Sequence, residues 1–317
     1  MRLNIRKFSV TRFVSILQIL AIGGCVSSPY ARLQSIQSAA EKGDIREQYE
    51  LALRYANGNG VPQDYAKAAE YFRKSAEQGY APAQTGLGAY YARGLGVPQD
   101  YSEALKWYQQ AAAQGNSLAQ YSLGYAYAHG IGTATNFDMA IAWWQKSAEQ
   151  GQVYAQNALG QYYLRGEYPG DTNHVNLTEA TKWFRRAAEE GYAPAMSTLG
   201  YMYQYSIGVG HDWSQALQWN RRAAEKGDAA GQDNLGQMYE NANAGLPRDL
   251  VQAYKWFWLS EQQGDAGGRH DAMEIELNHA LTPEQIAEAK RMAGEFQLKH
   301  TPTGPPARRS FKTESNL

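Results

Sequence analysis

The chain has 317 residues, of which 44% are hydrophobic and 19% are charged, and its formal net charge is -1. This balance argues against a DNA- or RNA-binding protein, which would carry an excess of Lys and Arg to neutralise phosphates. A single Cys rules out a disulfide within the chain, so packing alone must hold the fold together.

The amino terminus has the features of a secretory leader. Residues 1–12 contain four basic residues and no acidic one, and an apolar run follows at 13–22. A basic segment, a short apolar segment and small residues in this order predict a signal peptide over residues 1–24. The apolar run is too short to cross the roughly 30 Å hydrocarbon core of a membrane as a helix.

The only cysteine lies at the end of this leader. The sequence Ile-Gly-Gly-Cys at 22–25 resembles the lipobox of bacterial lipoproteins, which implies cleavage before Cys25 and acylation of that residue. Several acyl chains would anchor the protein stably. Val26 and Ser27 imply sorting to the outer membrane, with the protein facing the periplasm or exposed at the surface. Two alternatives stay open: an ordinary signal peptide with an incidental cysteine, and an uncleaved amino terminus on a signalling adaptor in the cytoplasm or at the inner membrane.

An internal repeat of about 36 residues occupies most of the remaining chain. Glycine recurs at 43, 79, 115, 151, 191, 227 and 264, with spacings of 36, 36, 36, 40, 36 and 37 residues. Within each unit, small and apolar residues recur at helical spacing in two separate stretches, which predicts two helices per unit. We therefore expect six two-helix repeats over residues 39–264.

Signals for helix starts and ends support this division. A residue able to cap a helix precedes the second helix of every unit, namely Asp64, Asp100, Asn136, Asn176, Asp212 and Asp249. In four units Glu or Gln follows three residues later, which approximates a capping box. The unit-final glycines suit the left-handed conformation after a helix. Glycines inside the first helices predict a close approach of a neighbouring helix, since Gly there costs about 1 kcal/mol against Ala.

Both ends of the array have candidate capping helices, which a solenoid needs to cover its terminal apolar faces. Residues 29–42 resemble a lone second helix, so residues 25–38 would hold the acylated amino terminus and the start of this helix. Residues 265–298 would form the carboxyl-terminal capping helices, the last of which begins at Thr282 and Pro283. Residues 299–317 have little to bury and are predicted to be disordered.

The repeat is clearest in the stretches 80–115 and 192–227, which both begin Tyr-Ala-Pro-Ala and end Ala-Ala-x-x-Gly. This pattern resembles the Sel1-like repeat family, a branch of the tetratricopeptide-like α-solenoids. The resemblance implies an all-α solenoid, a superhelix of about six two-helix repeats with capping helices at both ends, that serves as a protein-protein interaction scaffold. Three departures are local: an insertion region at 172–175, Ser206 in place of a turn glycine, and Asn220 in place of an aromatic residue.

The sequence lacks the motifs of common enzyme classes. None of the six His residues pairs at the spacing of a helical zinc site, and no nucleophile elbow, phosphate-binding loop or dinucleotide-binding motif occurs in a suitable context. We therefore expect no catalytic residue, no metal site and no cofactor. A cysteine-rich branch of the family is linked to weak β-lactamase or penicillin-binding activity, but the resemblance does not carry that activity to a chain without disulfides. A cell-wall-directed enzyme or accessory factor remains the alternative.

The partner site is expected in the concave groove, which the first helices line in solenoids of this type. Residues two before and two after a recurring buried Leu of each first helix should lie near that groove. They are Tyr49, Leu53, Thr85, Ala89, Tyr121, Tyr125, Asn157, Gln161, Ser197, Tyr201, Asp233 and Gln237.

Tyr121, Tyr125 and Tyr201 are the best anchor candidates, because Tyr combines a large area with a polar tip. The alternative is that they only pack against adjacent helices. The uncharged middle of this set favours a protein or peptide segment as the ligand.

Overall fold

Helices of nearly equal length fill the described part of the chain. The structure is a computed structural model that describes residues 29–166 and 175–300. These two ranges contain fifteen α-helices, one short 3-10 helix and no strand. The α-helices are α1 (Pro29–Glu41), α2 (Ile45–Asn57), α3 (Tyr65–Glu77), α4 (Ala81–Arg93), α5 (Tyr101–Ala113), α6 (Ser117–His129), α7 (Phe137–Glu149), α8 (Val153–Arg165), α9 (Leu177–Glu189), α10 (Ala193–Tyr205), α11 (Trp213–Glu225), α12 (Ala229–Glu240), α13 (Leu250–Glu261), α14 (Ala266–Leu277) and α15 (Pro283–His300). The 3-10 helix spans Asn243–Gly245.

Several sequence-based predictions fall outside the described residues. These are the signal peptide at 1–24, the acylated Cys25, residues 172–174 of the insertion region, and positions 301–317 of the tail. They stay predictions.

The helices alternate between two roles. The first helices of the six repeats are α2, α4, α6, α8, α10 and α12, and the second helices are α3, α5, α7, α9, α11 and α13. Successive helices from α1 to α14 pack against each other in chain order, and α15 packs against α13. The repeats therefore stack into the all-α solenoid predicted from the sequence.

The predicted capping residues of the second helices all accept hydrogen bonds from first-turn amides. Asp100 Oδ1, for example, accepts from the Glu103 amide at 3.0 Å. The predicted capping boxes of these helices do not form. The amide of each capping residue already donates to a Tyr carbonyl of the preceding first helix, as the Asp100 amide does to Tyr91 O at 2.9 Å. The Glu103 side chain pairs with Lys106 instead.

Glycine is required at two kinds of repeat position. The unit-final glycines have positive φ angles between 82° and 94°, as predicted. The glycines inside the first helices lie against a side chain of the following second helix, so the predicted close approach is confirmed. A Cβ on Gly124, for example, would clash with the Trp144 ring. In the fifth repeat Ser206 takes the left-handed conformation, at φ 60°, that Gly94 and Gly130 occupy in other repeats.

One aromatic position of the second helices forms the centre of the core. Its buried members are Phe72, Tyr108, Trp144, Phe184 and Phe257. Asn220 replaces the aromatic residue in the fifth repeat and is fully buried. Asn234 Nδ2 donates to Asn220 Oδ1 at 3.1 Å, so the buried amide has a polar partner.

Buried glutamines join successive repeats. Gln84 Nε2 donates to the Ala76 carbonyl, at the end of α3, at 3.1 Å. Its Oε1 accepts from Gln114 Nε2, just after α5, at 2.7 Å. The same arrangement recurs at Gln48, Gln120 and Gln232. Each of these side chains thus links three successive helices and satisfies polar groups that packing would otherwise bury unpaired.

Helices cover both ends of the array. At the amino end, α1 buries Leu33, Ile36 and Ala40 in a cluster with Leu51 of α2. At the carboxyl end, α14 and α15 pack against α13. The apolar face of the sixth repeat is therefore covered, as a terminal repeat requires.

The last helix differs slightly from its predicted extent. A reciprocal capping box starts it, because the Thr282 amide donates to Gln285 Oε1 at 2.9 Å and the Gln285 amide donates to Thr282 Oγ1 at 3.3 Å. The helix continues to His300, so residues 299–300 of the predicted tail are helical. Lys299 and His300 lie in the last turn, where basic side chains stabilise a helix terminus.

Candidate functional site

The residues predicted to line the groove all lie on the first helices, whose surface we call the first-helix face. Thr85 and Ser197 are buried, and their hydroxyls donate to the carbonyls of Ala81 and Pro194. These two side chains therefore belong largely to the packing. Tyr201 is 45% exposed, and the other predicted residues are half-buried.

Five of the predicted residues surround one cavity at the amino-terminal end of this face: Tyr49, Leu53, Thr85, Ala89 and Tyr121. The cavity has a volume of about 170 Å³ and opens to solvent. Its walls come from α2, α4 and α6, the first helices of three successive repeats, with Phe72 and Tyr108 contributed by second helices. The cavity therefore depends on the stacking of the repeats.

Tyrosine rings continue along the first-helix face beyond this cavity. The ring centroid of Tyr121 lies 6.4 Å from that of Tyr125 and 5.7 Å from that of Tyr154. Tyr201 and Tyr205 form a further pair at 4.5 Å, and both are exposed. Tyr121 and Tyr125 thus pack in part against neighbouring rings, whereas the Tyr201 and Tyr205 rings are open to a partner.

Two amide oxygens near the middle of the face have no donor within the described ranges. Asn157 Oδ1 and Gln161 Oε1, one turn apart on α8, are shielded from solvent, and no described group donates to either. A shielded acceptor without a donor costs free energy. A ligand that brings N–H groups would be favoured at this position.

Carboxylates crowd the carboxyl-terminal end of the face. Gln237 Nε2 donates to Asp233 Oδ2 at 3.0 Å and to Asp271 Oδ2, on α14, at 3.2 Å. Burial, together with the nearby carboxylates of Asp271 and Asp265, raises the pKa of Asp233 to about 7. Burial also raises the pKa values of Glu240 and Asp271. This end is acidic and partly withdrawn from water.

One group of described residues could offer three ligand atoms to a metal ion. His270, Asp271 and Glu274 lie within two turns of α14, and their ligand atoms are within 4.8 Å of one another. His270 and Glu274 are exposed, and such groups are common on surface helices without a metal. This mixed group contains a single His and no Cys, so the spacing of His and Cys in the sequence does not indicate it.

No helix within residues 29–166 and 175–300 combines the length and the apolar character needed to cross a membrane.

Eight residues that line the cavity were not predicted for the groove from the sequence, among them Phe72, Gly86 and Arg93. For Gly86 a signal was present, because the matching residues of the later repeats all carry side chains. Those residues are Ser122, Ala158, Thr198 and Asn234. Phe72 and Arg93 lie outside the strip chosen from helical spacing, so only the packing of successive repeats reveals their contribution.

Comparison with known proteins agrees with this architecture. The family model described as Sel1 repeat matches residues 48–80, 81–116, 117–152, 153–192, 193–228 and 229–265. The structure of a protective antigen present in uropathogenic Escherichia coli strains, which displays an SLR fold, is 33% identical with a TM-score of 0.55. That similarity covers 85% of this chain and 64% of the antigen, so the chain spans less than two thirds of its length.

A second similar structure is that of a Sel1 repeat protein from Oxalobacter formigenes. It is 27% identical with a TM-score of 0.65, over 73% of this chain and 92% of that chain. No curated protein matches the chain.

Proposed function

The chain belongs to the Sel1 repeat family, and from this premise we propose that it is a membrane-anchored scaffold that binds another protein along its first-helix face. Sel1 repeat proteins are protein-interaction scaffolds and are typically non-enzymatic. One observation carries the proposal for this chain: the first helices combine a uniform core with a varied surface. Leu87, Leu123 and Leu159 are fully buried, while the residues two positions to either side change in size and chemistry from repeat to repeat.

The surface chemistry favours a polypeptide ligand. A solvent-open cavity, exposed tyrosines and unpaired amide oxygens succeed one another along the face. Interfaces between proteins combine aromatic anchors with hydrogen bonds in this way. An extended segment would supply both the side chains for the cavity and the backbone N–H groups for Asn157 and Gln161.

The proposed membrane anchor is Cys25. Its support is the leader-like sequence before it and the lipobox-like residues at 22–25. Acylation would place the scaffold in the bacterial cell envelope, at the outer membrane and facing the periplasm. Stable attachment needs more than one acyl chain, which the thiol and the new amino terminus could together carry.

Intact-mass analysis of the protein purified from bacterial membranes tests the anchor. We expect a chain that starts at Cys25 and carries the mass of a diacylglycerol and a further acyl group. The Cys25→Ser variant should lack this added mass. An unmodified wild-type chain that retains residues 1–24 would refute the anchor and direct the search for a partner to the cytoplasm or the inner membrane.

Site-specific photocrosslinking tests the binding face. A photoreactive phenylalanine at Tyr201, which is 45% exposed on α10, should trap a discrete partner in the envelope. The matched control is the same replacement at Tyr101, which is 39% exposed at the start of the second helix α5. Equal crosslinking at both positions would contradict binding along the first-helix face.

A second candidate function is suggested by the carboxyl group of Asp233. Its pKa of about 7 and the neighbouring Asp271 resemble the paired carboxyls of general acid-base catalysis. A cell-wall-directed enzyme would then turn over muropeptides, and Asp233→Asn would abolish that turnover. Stable capture of a partner with no turnover of muropeptides would support the scaffold function and contradict the enzymatic one.

A further inference from the structure

The cavity on the first-helix face results from two small residues of the second repeat. Gly86 and Ala89, one turn apart on α4, both line it. At the position of Ala89, later repeats carry Tyr125, Gln161, Tyr201 and Gln237. The cavity is therefore a local feature of this repeat, which distinguishes it from the other repeats of the array.

The size and lining of the cavity suit an aromatic ring. Its volume is about 170 Å³, and an engineered apolar cavity of about 150 Å³ is known to hold benzene. Leu53, Phe72, Ala89 and Leu118 supply apolar surface, and the Tyr49 and Tyr121 side chains stand at its walls. One benzene-sized side chain would fill this space.

The polar groups of the lining favour an anion beside that ring. Arg93, one turn after Ala89 on α4, is the only charged side chain among the described residues that line the cavity. The Thr85 hydroxyl donates to the Ala81 carbonyl, and Asn116 Oδ1, which lies 3.1 Å from Thr85 Oγ1, accepts from the Ala119 amide. No carboxylate lines the cavity.

The charge along the face points in the same direction. Asp233, Glu240, Asp271 and Glu274 gather at the opposite end, on α12 and α14. An anionic segment would be repelled there and attracted towards Arg93. Charge complementarity therefore selects the amino-terminal end of the face for such a segment.

We propose that this cavity receives a phenylalanine side chain from a segment of the partner protein, with a carboxylate of the same segment placed beside Arg93. This inference rests on the proposed scaffold function and identifies the chemistry of the segment. A single aromatic side chain in a well-fitting pocket can supply much of the affinity of an interface.

Binding of short peptides to the full chain tests the proposal. The probe is a pentapeptide, Gly-Glu-Phe-Glu-Gly with blocked ends, that carries para-fluorophenylalanine and is followed by fluorine NMR. The unlabelled peptide should compete for the site. We expect the same peptide with Ala in place of Phe, and a version with both Glu replaced by Lys, to compete at least about tenfold less well.

Filling the cavity provides the matched pair of protein variants. Ala89→Tyr introduces the residue that the third and fifth repeats carry at this position, so the fold accommodates it elsewhere. We expect it to weaken binding of the probe at least about tenfold. Ala113→Tyr, the same replacement at an exposed position of the second helix α5, should leave the affinity within about twofold. Far-ultraviolet circular dichroism of both variants controls for folding.

Two results would overturn the proposal: no saturable binding of the probe to the wild-type chain, or equal affinity of the wild-type chain and folded Ala89→Tyr. A failure of the cavity is distinguishable from a failure of the scaffold function. If Ala89→Tyr still captures the partner through a crosslinker at Tyr201, the scaffold stands and the cavity proposal alone is wrong.

Discussion

At the scale of single residues, Gln84 holds three helices together through one buried amide. Gln84→Met would introduce the residue that the fifth repeat carries at this position, Met196, and would roughly keep the side-chain volume. It would leave the Ala76 carbonyl without its side-chain donor and remove the acceptor of Gln114. We expect the free energy of unfolding, measured with urea, to fall by about 1–3 kcal/mol.

Gln114→Ala is the matched control for this prediction. Gln114 is exposed, so water can replace its partners, and we expect the loss to stay below about 1 kcal/mol. In the fifth repeat Lys226 replaces the corresponding Gln donor, which is consistent with Met196 there. Equal losses in Gln84→Met and Gln114→Ala would show that the buried amide has no special role.

The acidic end of the first-helix face should make stability depend on pH. The Asp233 carboxyl has a pKa of about 7 in the folded chain and about 3.9 in an unfolded one. Between these values the folded state keeps a proton that the unfolded state has lost, so stability falls as pH rises from about 4 to about 7. Because water screens part of this side chain, we expect a fall of roughly 1–2 kcal/mol.

Two variants test this pH dependence by urea unfolding at a series of pH values. Asp233→Asn should reduce the decrease in the free energy of unfolding between pH values of about 4 and about 7. Asp271→Asn removes a carboxylate that raises the pKa of Asp233, so the fall should end at a lower pH. A profile of Asp233→Asn that matches the wild type would rule out Asp233 as the source.

At this scale, the backbone conformation of a residue is easier to predict from the sequence than the hydrogen-bonding or charged partner of its side chain. Positive φ at the unit-final glycines follows from their place after a helix, which is local information. The bond between Gln84 and Gln114 joins residues 30 positions apart. The raised pKa of Asp233 depends on Asp271, from another helix. Contacts of this kind become visible only when the repeats are stacked.

At the scale of elements, the second helices are started by caps rather than by capping boxes. Asp100 accepts hydrogen bonds from the amides of Ser102 and Glu103, so Asp100→Ala should lower the free energy of unfolding by about 1 kcal/mol. Glu103→Ala removes only an exposed ion pair with Lys106, and we expect a change below about 0.5 kcal/mol. Urea unfolding measures both.

The helix α15 supplies the comparison for this prediction. Gln285 accepts from the Thr282 amide in a reciprocal box, so Gln285→Ala should cost more than Glu103→Ala. A larger loss in Glu103→Ala than in Gln285→Ala would mean that the box, and not the single cap, governs the second helices.

Element boundaries were predictable because each repeat contains its own start and stop signals. The absence of capping boxes was not predictable, because it results from a tertiary hydrogen bond. The amide of each capping residue donates to a Tyr carbonyl of the preceding first helix and is not available to a Glu or Gln side chain. Local sequence matched the box pattern at Glu103, but the competing acceptor belongs to another helix. Packing between helices therefore overrides a local motif here.

At the scale of the whole molecule, the periodicity of the core identified the residues of the first-helix face, while the cavity required knowledge of how repeats stack. The strip around the recurring Leu identified Tyr49, Ala89 and Tyr121, which line the same cavity. It could not identify the cavity itself, because the space arises from side chains absent at Gly86 and Ala89 and from walls supplied by three repeats. Periodicity in the sequence identifies the residues that recur in every repeat, whereas this cavity lies where one repeat has small residues in place of larger ones.

The quasi-one-dimensional architecture predicts that a complete repeat can be removed without loss of folding. Deletion of residues 117–152 would join Asn116 to Val153, so α8 would follow α5 with a cap residue before it. Gln156 and Leu159 would then occupy the places of Gln120 and Leu123. We expect a helical, monodisperse chain that unfolds cooperatively, with a urea m-value reduced roughly in proportion to the residues removed.

Removal of the last cap should have the opposite outcome, although it removes fewer helices. The α15 helix buries Ala293 in the cluster of Trp256 and Leu259, and the Phe296 ring lies 5.0 Å from Trp256. A chain ending at residue 280 would expose this apolar face, so we expect aggregation in size-exclusion chromatography. If the truncated chain stays monodisperse and the internal deletion aggregates, the stability of this protein is not the sum of its repeats and their nearest-neighbour interfaces.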